Sequence, residues 1–82
     1  MASIWHRRPD IELCNGQMNN DTIVDHLGIE ITEVGDDFIT GTMPADHRTF
    51  QPYRVVHGGA NVVLAESLGS IAGAHVIDMS KF

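Results

Sequence analysis

An α+β fold in which an antiparallel sheet wraps a central helix is predicted by three observations. From Gly59 to Val76 the sequence is apolar or small on nearly every side, the pattern of a buried helix. Its share of Gly, Ala and Ser lets other backbone approach closely, which suits a helix enclosed by a sheet. Ahead of it lie two short stretches of β-type pattern separated by Gly35-Asp36-Asp37, which read as a hairpin. The length of 82 residues, 43% of them hydrophobic and 20% charged, fits one small globular domain and excludes disordered and collagen-like classes.

Two short helices lead in. Asp10, after Pro9, is placed to cap a helix over Ile11 to Gln17; Asp21 is placed to cap one over Thr22 to Leu27, with Gly28 supplying the left-handed residue that ends it. Ile29, Ile31 and Val34 are set against Glu30 and Thr32, a half-buried strand. Gly35-Asp36-Asp37 is turn chemistry, and Phe38 to Met43 returns to β-type composition. Pro44 has no amide proton for a ladder and ends the second strand. Ala45 to Val56 follows neither period and reads as an irregular, largely exposed loop, a place where function often sits. Two strands of about six residues cannot cover the circumference of a helix of about five turns. Other chains, or strands that this sequence lacks, are expected to complete the cover.

Eleven acids against the five bases Arg7, Arg8, Arg48, Arg54 and Lys81 give a net charge of −6 with no basic stripe, so nucleic acid is not an expected partner. Met1 to Pro9 lacks the apolar core of a signal peptide. The longest wholly apolar runs, such as Val62 to Ala65, are about four residues, so no membrane span is expected and the location reads as cytoplasmic. Cys14 is alone and closes no intramolecular disulfide, in keeping with a reducing compartment.

The chemistry gathers on the helix. Glu66 is the one ionisable residue between Gly59 and Ala74, and a carboxylate inside a buried helix costs several kcal/mol unless it is paired or hydrogen-bonded. No Lys or Arg lies on the helix to pair with it. At about 100° per residue its face is shared with Gly59, Val62, Val63, Gly69, Ser70 and Gly73, mostly small, leaving room for a substrate or a neighbouring chain. Glu66 is expected to be a catalytic base or nucleophile; the plainer alternative is a carboxylate satisfied by backbone groups or a wet edge. His57-Gly58-Gly59 opens the helix, where the first amides have no intrahelical acceptor. Gly58 therefore either presents a bare N–H to an oxyanion or simply makes the turn. Donor turn and carboxylate, about two turns apart, are expected to line one carbonyl-sized gap. Gln51 and His57 orient either a substrate carbonyl or the turn itself, and Ser70 either bonds the Glu66 carboxylate or bonds back to a helix carbonyl. His6, His26, His47 and His75 show no paired spacing with Cys, Asp or Glu, so no metal is expected.

The strings His26-Leu27-Gly28-Ile29-Glu30-Ile31, Met43-Pro44-Ala45-Asp46-His47-Arg48-Thr49, Gln51-Pro52-Tyr53 and His57-Gly58-Gly59-Ala60-Asn61-Val62-Val63-Leu64-Ala65-Glu66-Ser67 resemble the N-terminal half of hotdog-fold acyl-CoA thioesterases. The closest similarity is to the bacterial subfamily acting on aromatic thioesters, including the 1,4-dihydroxy-2-naphthoyl-CoA hydrolases of menaquinone synthesis and their phenylacetate-pathway and enterobactin-proofreading relatives. The resemblance runs over nearly all of residues 22 to 78. It implies a hotdog fold with most of the sheet missing from this chain: a lead-in over 1–21, then the N-terminal half of the core over 22–82. It also implies hydrolysis of an acyl- or aroyl-CoA, coenzyme A being part of the substrate and no other cofactor being needed. Glu66 matches the family's catalytic carboxylate, Gly58 the oxyanion donor, Gln51 and His57 the polar residues around the thioester, and Ser70 the small hydroxyl residue beside the carboxylate. The family shares its active site across a dimer, so a homodimer or dimer of dimers is expected.

Two departures stand out. Arg54 occupies a turn position where relatives usually have glycine. The sequence also stops near the end of the helix, where relatives continue into strands that supply most contacts to the nucleotide; here only Arg48 and Arg54 offer charge to phosphate. Two rival readings are a hotdog dehydratase, against which His57 directly abutting Gly-Gly argues, and an inactive truncated fragment that needs a complete partner subunit.

Overall fold

A computed structural model describes residues 2–78 and Ser80; positions 1, 79, 81 and 82, among them both ends of the expected domain, lie outside the described residues. Helix α1 (Ile11–Leu13) runs into a π-helical stretch (Cys14–Met18), then α2 (Ile23–His26), strands β1 (Glu30–Val34) and β2 (Ile39–Thr42), and the long helix α3 (Gly58–Val76).

Asp10 caps α1 as expected, its Oδ1 accepting from Leu13 N at 3.0 Å. The helix expected to reach Gln17 widens into π turns from Cys14. Asn15, carried on those turns, reaches β1: its Nδ2 donates to Ile31 O and its Oδ1 accepts from Ile31 N, both at 2.9 Å. One amide thus occupies the Ile31 backbone pair as a neighbouring strand would.

Asp21 is not the cap of α2. It stands at φ 59, and Thr22 takes the cap position with an extended backbone and no side-chain bond to the first turn. The chain reverses through Asn19–Thr22, with Thr22 N donating to Asn19 O at 3.2 Å and Thr22 Oγ1 to the same oxygen at 2.7 Å. The third residue of that turn takes positive φ, which Asp tolerates better than most side chains. Gly28, at φ 74, ends α2 as expected; Arg48 Nη1 lies 2.7 Å from where a Cβ would stand.

β1 and β2 pair antiparallel, Glu30 with Thr42, Ile31 with Gly41, Glu33 with Thr40 and Val34 with Ile39. The shift between Ile31 and Glu33 is a bulge that brings Val34 back to the half-buried side. Ile29 and Ile31 are 3% and 2% exposed and form the centre of the core with Cys14 and Ala60. Burial, and secondarily Asp10, pushes the Cys14 thiol up from its ordinary pKa. At Gly41 the helix comes close: a Cβ there would lie 2.8 Å from Leu68 Cδ2.

The first residues strap the hairpin turn to the far end of α3. Ile4 N donates to Asp36 O at 2.8 Å, Trp5 Nε1 to Gly35 O at 2.6 Å and Arg7 N to His75 O at 3.0 Å; the Arg8 guanidinium pairs with Asp36.

The all-round burial expected of α3 is not what this chain provides. Ala60, Ser67 and His75 are buried on the side facing the rest of the chain, while Val62, Ala65, Glu66, Gly69, Ser70 and Gly73 are exposed, Val62 to 66%. The cause is coverage, since one two-stranded sheet lies along one side of a 19-residue helix. The radius of gyration of 13.9 Å exceeds the roughly 12 Å of a compact domain of this length, as a helix with one uncovered flank would make it. Among the described residues, no helix is long and apolar enough to cross a membrane, and no group of three or more His, Cys, Asp or Glu is placed to hold a metal ion.

Candidate active site

The segment Ala45–Val56, read as irregular from sequence, is an ordered double turn. Asp46 and Thr49 close the first turn: Thr49 is 2% exposed, its Oγ1 donates to Pro44 O at 2.7 Å, and its amide donates to Asp46 O at 2.9 Å. Arg48 grips the Asp46 carboxylate from Nε and Nη2, at 3.1 and 2.7 Å respectively, which holds the Asp46 pKa down to about 2. The second turn is a small hairpin. Phe50 and Val56 form an antiparallel bridge, Gln51 N donates to Val55 O at 2.8 Å, and Arg54 N donates to Gln51 O at 2.9 Å.

His57 leaves this hairpin with its amide donating to Thr49 O at 2.7 Å, then caps α3 as its Nδ1 accepts from Gly59 N at 2.8 Å. A histidine N-cap consumes one of the orphan amides at the helix start. Gly58 N is left: no hydrogen bond among the described residues uses it, and nothing lies within 4 Å of where a Cβ would stand. Thr49 is thus the residue that sequence reasoning passed over. Its hydroxyl fixes the first turn and its carbonyl fixes His57, and the signal available was an Asp-x-x-Thr spacing directly after Pro44.

One helical turn apart, Glu66 and Ser70 meet, with Ser70 Oγ donating to Glu66 Oε1 at 2.7 Å. Of the two readings for Ser70, the bond to the carboxylate is the one observed. Glu66 is exposed, contrary to the burial expected of it, because its face of α3 points away from the hairpin. The expected single gap does not form either. Eight residues along an α-helix separate Gly58 from Glu66 by about 12 Å of rise, and a glutamate side chain spans less than half of that. The structure therefore brings together two groups: Gln51, His57 and Gly58 around the hairpin and helix start, and Glu66 with Ser70 on the open face.

No family model matches the sequence. The chain is 51% identical over 70 residues to the proofreading thioesterase EntH of Cronobacter turicensis, an alignment covering 85% of this chain and 50% of that protein. The crystal structure of a mutant thioesterase from Pseudomonas aeruginosa superposes with a TM-score of 0.91 at 45% identity, covering 95% of this chain and 55% of that one. That of a thioesterase from Haemophilus influenzae gives a TM-score of 0.86 at 47% identity, covering 92% of this chain and 52% of that one. The chain spans about half the length of the curated relatives it matches, and over that span its backbone follows that of solved thioesterases.

Proposed function

We propose that two copies of the protein build the active site of a thioester hydrolase acting on acyl- or aroyl-CoA, the His57-Gly58 turn of one copy facing Glu66 of the other. The observation that carries this reading is that the free Gly58 amide and the Ser70-held Glu66 carboxylate belong to residues about 12 Å of helix rise apart on one helix. A single carbonyl meets both groups only where two helices are brought together, and the open, small-residue face of α3 leaves room for that approach. Likeness to proteins named thioesterases over most of this chain supports the reaction class.

In this reading Glu66 either attacks the thioester carbon or takes a proton from the water that does. Ser70 engages Oε1 and leaves Oε2 for the chemistry. The Gly58 N–H donates to the oxyanion that forms, and Gln51 and His57 orient the carbonyl. With water as the nucleophile, collapse breaks the C–S bond and the proton held by Glu66 passes to the leaving thiolate. With Glu66 as the nucleophile, collapse leaves a mixed anhydride on Glu66, and water then hydrolyses it, freeing the acid and the carboxylate while its proton goes to the thiolate. An aromatic acyl group and a homodimer or dimer of dimers are the finer parts of the proposal, and the resemblance carries them.

The test is thiol release from benzoyl-CoA. Glu66→Ala is expected to abolish turnover with an unchanged circular dichroism spectrum; unchanged turnover overturns the reading. Gly58→Pro removes the N–H and adds a ring where nothing lies within 4 Å of a Cβ, at a first-turn position where proline is tolerated and after a residue with extended ψ of 132. Each variant alone is expected to be inactive. Activity should return when the two are refolded together, because half of the mixed dimer's sites are then intact.

A further inference from the structure

Arg54 closes the turn that begins at Gln51 and stands at φ 65, in the left-handed region that L side chains enter only at an energetic cost. Glycine would take this conformation freely. A strained residue in an otherwise well-bonded turn points to work done by its side chain. The strain is not relieved by slack elsewhere: the Phe50–Val56 bridge, the Gln51–Val55 bond and the bond from His57 N to Thr49 O pin the turn on both sides.

The guanidinium is exposed, and among the described residues it has no hydrogen-bond or ion-pair partner. Arg8 is held by Asp36 and Arg48 by Asp46, so the neighbouring cation is already neutralised. Arg54 is therefore an uncommitted positive charge on a short, stiff loop beside Gln51 and His57. The chain as a whole carries −6 and repels a polyanion such as a coenzyme A thioester. A local cation next to the reacting centre offsets that repulsion, and a planar guanidinium fork matches phosphate oxygens.

We propose that Arg54 is a specificity-determining residue that binds a phosphate group of the coenzyme A half of the substrate, outside the reacting centre. The inference rests on the thioesterase reading above. Its test compares the wild-type chain, Arg54→Gly and Arg54→Lys on benzoyl-CoA, benzoyl-dephospho-CoA and S-benzoyl-N-acetylcysteamine, which carries no phosphate. Arg54→Gly is expected to raise KM for benzoyl-CoA about tenfold with kcat unchanged, and to leave the N-acetylcysteamine thioester unaffected. Arg54→Lys should fall between. An equal rise on the dephospho substrate assigns the diphosphate, and a rise confined to benzoyl-CoA assigns the 3′-phosphate. A KM for benzoyl-CoA that stays within about twofold, or an equal rise on the N-acetylcysteamine thioester, overturns the proposal. Should the wild-type chain release no thiol from any substrate, the hydrolase reading fails and calorimetric titration with coenzyme A decides on Arg54. Weaker binding to Arg54→Gly then supports the proposal, while equal binding, or none to either protein, overturns it.

Discussion

The two flanks of α3 differ in what they bury and in what they offer. Toward the hairpin, Ala60 and Ser67 are buried, Leu68 presses on Gly41, and the core of Ile29, Ile31 and Cys14 lies beyond. On the opposite flank Glu66 and Ser70 bond each other in the open among Val62, Gly69 and Gly73. Stability and candidate chemistry therefore sit on separate sides of one helix, and a substitution on one side should spare the other.

The largest expected effect is on the open flank. Glu66→Ala should lower turnover of an acyl-CoA at least a hundredfold, as loss of a general base or nucleophile does, while its urea midpoint stays at the wild-type value. A matching fall in stability would show that the flanks are not separate. Ile31→Ala, on the buried side, should cost about 2–4 kcal/mol by removing a side chain that is 2% exposed, read from the same urea titration. Asn15→Ala leaves the Ile31 N–H and C=O without their partner and should cost about 1–3 kcal/mol. Arg54→Gly should stabilise by about 0.5–1 kcal/mol, the relief of positive φ less the extra freedom of glycine in the unfolded chain.

The smallest effect is electrostatic. Arg48 holds the Asp46 pKa at about 2, below the usual carboxylate value near 4, so the pair stabilises fully above about pH 4. Its contribution fades as the pH falls toward 2. Asp46→Asn should therefore flatten the pH dependence of stability between about pH 4 and 2, slightly and less so in high salt, because both partners face solvent.

Much of this division could be read from residues alone. Gly28, the Gly35-Asp36-Asp37 turn and the His57-Gly58-Gly59 helix start are set by local backbone chemistry, and each sits where the pattern put it. Ser70 meets Glu66 because helical spacing leaves it little choice. The conformation at Asp21 and the turns inside the 45–56 loop escape local patterns for a different reason. Positive φ at Asp21 and the bridge from Phe50 to Val56 depend on where the chain must reverse, which no local period records. The exposure of Glu66 was hidden more deeply: apolar and small residues on every side of a helix state what it tolerates against it, not what covers it.

Asn15 also gives the sheet a direction. A side-chain amide on both backbone groups of Ile31 closes β1 at that point to any incoming strand. A further strand would have to displace that amide to pair at Ile31, so the β2 edge is the less obstructed side of the sheet for one.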